Sequence, residues 1–124
     1  MLVTTVKSEA DDLILASGRP PYMKRMGKVV PISETKLTHD QVKALLTPHL
    51  TISQFEGLQE MVDVDFSYDV KSTGYRFRVN VFRQHGGMGA VFRNIKGELP
   101  DLEQLGLPPI VKTFGDLKYG LVLV

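Results

Sequence analysis

No cysteine occurs in this chain, so disulfides and thiolate metal sites are excluded. No apolar run approaches the roughly 20 residues that a membrane-spanning helix needs. The first residues, MLVTTVKSEADD, have no basic end followed by an apolar stretch, so they do not read as a secretory signal. A cytoplasmic location is the expectation. Charge of one sign is scarce too: the net charge is +1, which argues against bulk nucleic acid as a partner. Arg19, Lys24, Arg25, Lys28 and Lys36 form a mild local excess that a solvated face explains as well as a partner does. Internal repeats and low-complexity segments are also missing. What is present is ordinary: 124 residues, 43% hydrophobic and 23% charged, set the size and composition of one globular domain.

The most informative stretch is residues 75–95, YRFRVNVFRQHGGMGAVFRNI. Phe77, Val79 and Val81 alternate with Arg76, Arg78 and Asn80, the period-two pattern of a strand with one face on a core. His85-Gly86-Gly87 supplies the residues of a tight turn, and Ala90, Val91, Phe92 and Ile95 form the returning strand. With His85 and Gly86 as the turn, Gln84 faces Gly87 and Arg78 falls opposite Arg93. The same register sets Phe92 beside Val79 and Ala90 beside Val81, whereas a slip of one residue would move Arg93 among core positions. Two like charges placed opposite each other destabilise a sheet unless something negative sits between them. Arginine holds phosphate or carboxylate through a planar fork, so the hairpin reads as an anion site on one face. A solvated polar face fits the same pattern.

Along the rest of the chain, residues 11–16 begin a strand and Gly18-Arg19-Pro20-Pro21 is a turn. Residues 22–26 and 28–32, split by Gly27, read as a short hairpin. Thr38 opens a helix, with Gln41 completing a capping box and Val42, Leu45 and Leu46 as the apolar stripe. Pro48 ends it. Thr51 with Gln54 repeats the signal, and Ile52, Phe55, Leu58 and Met61 are the expected buried face of a second helix. Residues 62–70 return to strand, before a Ser72-Thr73-Gly74 turn. Asp101 is expected to cap a short helix over 102–107, and Pro108-Pro109 to begin another through about Leu117. The predicted fold class is α+β, a mostly antiparallel sheet with helices packed on one side.

Other candidate constellations are weak. Gly86, Gly87 and Gly89 lack the following helix and lysine of a phosphate cradle, so they read as a turn. Asp63, Asp65 and Asp69 could gather a hard cation, but Val62, Val64, Phe66 and Tyr68 interleave with them as a strand. They read as solvent-facing carboxylates that pair with nearby arginines. Asp11-Asp12 has no partner that sequence can name. His39, His49 and His85 have no ligand spacing and no nucleophile beside them. Tyr22, Tyr68 and Tyr75 read as aromatics at the edge of the core.

Several pieces occur in a distinctive order: DDLILASGRPPYMKRMGKVVPI, LTHDQVKALL, VDFSYDV, RFRVNVFRQ with its hairpin, LPDLEQLGLPPIVK and GLVLV. In this the chain resembles, over nearly its whole length, the amino-terminal domain of the type IV pilus retraction (twitching motility, PilT) ATPases. In that family GLVLV leads directly into the phosphate-binding loop G-x-x-x-x-G-K-[ST]. Residues 121–124 have the continuous apolar pattern of a strand buried on both faces of a parallel sheet. The expectation is therefore a domain cut from a longer protein.

The resemblance implies a PAS-like domain over residues 1–98. Residues 99–124 would then be a linker and the first strand of a RecA-like ATPase domain. It implies a homo-hexameric, ATP-driven motor that retracts the pilus, with ATP and Mg²⁺ bound in the full-length protein. No cofactor is expected in this part, which lacks the lysine, hydroxyl and carboxylates of the nucleotide site and so is not itself an enzyme. The implied partners are the C-terminal ATPase domain, neighbouring subunits and the pilus machinery at the cytoplasmic face of the inner membrane. Nucleic acid and direct membrane insertion are not implied. Arg78 and Arg93 would reach the nucleotide phosphates. Arg83 matches the same segment, although solvation of the strand end explains it equally. Gly106, Leu107, Pro108 and Pro109 would form the hinge. Two departures stand out: the first helix is missing or much reduced, and Ile14 stands where family members often have histidine. They leave open a retraction motor, an accessory paralogue or an assembly motor. The alternatives are a stand-alone PAS-like sensory or scaffold module and an RNA-binding module. The core-facing position of Phe77 speaks against the RNA-binding reading.

Overall fold

The computed structural model describes residues 1–71, 73–95, 97 and 100–123. A short helix, α1 (Leu2–Lys7), precedes strand β1 (Asp12–Ala16) and the hairpin β2 (Tyr22–Arg25) and β3 (Lys28–Pro31). Helices α2 (His39–Leu46) and α3 (Ile52–Gln59) follow, joined through a 3₁₀ turn at Thr47–His49. Strands β4 (Val64–Val70), β5 (Tyr75–Gln84) and β6 (Gly87–Ile95) complete a single sheet. Its order is β3-β2-β1-β6-β5-β4, and every neighbouring pair is antiparallel. The first helix expected to be missing or much reduced is thus present as a short helix.

Both capping boxes form. The Thr38 and Thr51 hydroxyls accept from the amides of Gln41 and Gln54, whose side chains accept from the Thr38 and Thr51 amides at 2.8 Å. Each box satisfies amides that the first helical turn leaves unpaired, so two helices of eight residues start at defined points. One face of the sheet carries Leu13, Leu15, Phe77, Val79, Val81, Ala90 and Phe92, all buried against Val42, Leu46 and Leu58 of the helices. Leu2 and Val6 of α1 pack on the same cluster. The helices therefore lie on one side, as expected of an α+β domain.

The helical stripes are narrower than the periodicity predicts. Val42, Leu46 and Leu58 are fully buried, but Leu45, Ile52 and Met61 are exposed. Leu45 faces the groove beside α1, and Ile52 occupies the first turn of α3, turned away from the core. Met61 lies past the helix end with a left-handed backbone (φ 64°), so helical spacing no longer carries its side chain inward. Val62 is exposed and precedes the strand rather than beginning it. After the sheet, Asp101 and Gln104 exchange bonds of capping type, yet residues 101–106 form hydrogen-bonded turns instead of a helix. The next segment is helical over α4 (Ile110–Thr113) and a 3₁₀ turn at Phe114–Asp116. Ser72 and Leu99, named in the predicted turn and linker, lie outside the described residues, as does Val124. Residues 121–123 are exposed and outside regular structure. Among the described residues no helix is long and apolar enough to cross a membrane.

Candidate anion-binding face of the sheet

The β5–β6 register is the one the hairpin pattern predicts. Gln84 faces Gly87, Val81 faces Ala90, Val79 faces Phe92 and Arg78 faces Arg93. Because β5 also pairs with β4, and β6 with β1, one row across the helix-free face runs Ser67, Arg78, Arg93, Asp12 and Lys24. The next row runs Asp65, Asn80, Val91 and Ile14. Five strands thus bring to one surface residues that lie far apart in sequence.

The negative charge needed to tolerate the two arginines sits on either side of them rather than between them. Arg78 Nε donates to Asp65 Oδ1 at 3.1 Å, and the Asn80 amide donates to Asp65 Oδ2 at 3.2 Å. Arg93 Nε donates to Asp12 Oδ1 at 3.1 Å. Both bonds use the inner nitrogen, and the two arginine side chains remain 67% and 66% exposed. Their outer nitrogens are therefore available to a second partner. Asp12 is only 7% exposed, so it anchors Arg93 from beneath instead of competing for water. Between the arginines lies a shallow depression of about 380 Å³ lined by Asp65, Arg78, Asn80, Val91 and Arg93. Its walls offer planar donors in fixed places, the chemistry suited to phosphate or carboxylate oxygens.

Arg76 is held differently. Its Nε donates to Asp69 Oδ1 at 2.7 Å, and that hydrogen bond, with the nearby charge, keeps the guanidinium pKa above its already high value. Asp65 and Asp69 therefore do pair with arginines, as expected of strand carboxylates, while Asp63 lies just before β4. Among the described residues no group of histidines and carboxylates is arranged to hold a metal ion. Arg83 does not join Arg78 and Arg93. It occupies an odd position on β5, so it shares the helix side with Val79 and Val81 and donates to Gln59 Oε1 on α3 at 3.3 Å. Gly106, Leu107, Pro108 and Pro109 lie beyond the sheet. Gly106 takes a left-handed backbone there (φ 66°), and the Leu107 amide donates to the Leu102 carbonyl at 3.1 Å.

Sequence reasoning left Asp12 without a partner and gave Asn80 no role. The alternation of Asp12, Ile14 and Ala16 against Leu13 and Leu15 does place Asp12 on the open face. Naming Arg93 as its partner requires knowing that β1 lies beside β6, which no local pattern reveals.

No protein-family model matches the chain. A search of characterised proteins finds the type IV pilus retraction ATPase PilT of Pseudomonas aeruginosa, 39% identical over all of this chain and 36% of that protein. The chain matches the N-terminal portion of the PilT/PilU-like type IV pilus ATPases. The type IV pilus ATPase PilU of the same organism is 33% identical over 99% of the chain and 32% of its own length. Among solved structures, the pilus retraction motor PilT with bound ADP superposes with a TM-score of 0.78 at 30% identity, covering 94% of this chain and 34% of that one. The chain thus spans about a third of the PilT-like proteins it matches. The motifs that carry catalysis in such ATPases lie beyond this coverage, and the sequence contains no G-x-x-x-x-G-K-[ST].

Proposed function

We propose that this domain works within a hexameric, ATP-driven motor that powers type IV pilus retraction. In this reading residues 1–98 are its PAS-like N-terminal domain, and residues 99–124 lead into a RecA-like ATPase domain. Neighbouring subunits pack against the open sheet face. Arg78 and Arg93 present their outer nitrogens to the phosphates of ATP, which the ATPase domain holds together with Mg²⁺. The pivot is residues 106–109, where a proline pair restricts the backbone so that bending concentrates at Gly106. The working location is the cytoplasmic face of the inner membrane, beside the pilus machinery.

One observation carries the arginine assignment: two guanidiniums lie side by side, each fixed through Nε by a carboxylate, with the rest of each fork exposed. Such preorganised donors bind a developing negative charge without first having to be ordered. This fits phosphate oxygens, but the chain supplies neither the lysine nor the hydroxyl of a complete nucleotide site. The pair would complete a site whose remainder lies elsewhere.

The test begins with the reading frame beyond Val124, where G-x-x-x-x-G-K-[ST] is expected within a few residues. In the protein carrying that loop, Arg78→Ala and Arg93→Ala are each expected to lower steady-state ATP turnover about tenfold or more. Arg76→Ala, which removes an arginine already paired with Asp69, should leave turnover near wild type. A stop codon after Val124 would remove the motor reading in favour of a stand-alone sensory or scaffold module. Wild-type turnover in both arginine variants would remove the site assignment alone.

A further inference from the structure

The helix side of the sheet holds a second, smaller cavity that the open face does not explain. Its volume is about 80 Å³, and its polar walls are His39 and Lys43 of α2, Gln59 of α3 and Arg83 of β5. Buried Leu58 and Met88 form the rest of the lining. We propose that this cavity is a binding site for one phosphate group, independent of the Arg78–Arg93 pair on the opposite face.

The charge balance supports this. On the open face Arg76, Arg78 and Arg93 each meet a carboxylate. Among the described residues neither Lys43 nor Arg83 has an ion-pair partner, and Arg83 uses one nitrogen, Nη1, on the neutral carbonyl oxygen of Gln59. Asp40 and Glu56, the acidic residues of the same helices, do not line the cavity. Two cations thus line one small cavity whose lining includes no carboxylate, so an anion entering it meets charge that nothing there neutralises.

Position supports it as well. His39 and Lys43 are four residues apart on one helix and so share a face. Lys43 Nζ lies 5.5 Å from the centroid of the Phe55 ring, which restrains the ammonium. Gln59 orients the Arg83 fork. Gly87, across the hairpin, leaves His39 its place, since a Cβ there would come within 2.3 Å of His39 Nδ1. Pockets that enclose drug-sized ligands run to about 300–1,000 Å³. This one has room for a single tetrahedral oxyanion and not for a whole nucleotide.

The source of the phosphate, the free ion or the end of a nucleotide, is separated by titration. Inorganic phosphate added to the 124-residue chain at constant ionic strength should give saturable NMR shifts at the amides of His39, Lys43, Gln59 and Met88. Arg83→Gln and Lys43→Gln should each weaken that binding about tenfold or more, while Arg76→Gln leaves it unchanged. A parallel titration with ADP reads the source. Saturation of the same amides at lower concentration means the group is carried by a nucleotide, and saturation by inorganic phosphate alone means the free ion. Either result upholds the site. Shifts without saturation overturn it, as does saturation that survives both substitutions or that centres on Arg78 and Arg93. If Arg83→Gln alters the fold, the exposed Lys43→Gln variant still decides.

Discussion

Replacing Phe77 by alanine is expected to lower the free energy of unfolding by about 3–5 kcal/mol. Phe77 is fully buried on β5, between Tyr68 of β4 and Asn94 of β6. It belongs to the cluster that joins the sheet to α2 and α3. Truncation removes the transfer free energy of the ring and leaves a hole that a central strand, paired on both sides, cannot close by moving. Urea or guanidinium denaturation of the two proteins measures the effect as a fall in midpoint at an unchanged slope. A loss below about 1 kcal/mol would mean that the helices repack over the gap, and the account of a rigid core would be wrong.

Gly87→Ala is expected to cost about 2–4 kcal/mol, through two separate causes. The backbone of Gly87 has φ 125°, a region that L side chains rarely adopt. A Cβ at that position would also lie 2.3 Å from His39 Nδ1 and 2.8 Å from Ser17 Oγ. Ser17 has little freedom to retreat, because its buried hydroxyl donates to the Met88 carbonyl at 2.8 Å and accepts from the Met88 amide at 3.1 Å. Gly86, the residue before, is the comparison. It is not in the left-handed region, and a Cβ there meets only the Ser17 carbonyl, at an ordinary 3.6 Å. Gly86→Ala should therefore change stability by less than about 0.5 kcal/mol. Thermal or denaturant unfolding of the pair separates the two adjacent glycines, and equal effects would contradict the placement of His39 against the turn.

The hairpin was legible in the sequence because its information is local. Alternation along RFRVNVF fixed the buried face, and the requirement that Arg93 stay off that face fixed the register. The two capping boxes were legible for the same reason, since Thr38 with Gln41 and Thr51 with Gln54 are complete within four residues. What stayed hidden depended on distant parts of the chain. Which hydrophobic positions of a two-turn helix are covered is decided by what packs above them, so Ile52 and Leu45 misled the periodicity. Asp12 became the anchor of Arg93 only once β1 took its place beside β6. Arg83 shared a motif with Arg78, yet five steps along a strand carry a side chain to the opposite face.

The strand order also bears on how the chain reaches this structure. Four of the five ladders join strands that follow one another in sequence, giving two local meanders, β1-β2-β3 and β4-β5-β6. The fifth, β1 with β6, is a seam between the two, and the Arg93–Asp12 bond across it links residues 81 apart in sequence. Closing that long loop costs chain entropy before any pairing there repays it, so in stopped-flow refolding, substitutions at the seam are expected to slow folding more than equally destabilising ones within either meander. The pairs of Arg76 with Asp69 and Arg78 with Asp65 lie within the second meander, whereas the carboxylate that steadies Arg93 comes from the first, so the anchor of one arginine alone depends on the two halves meeting.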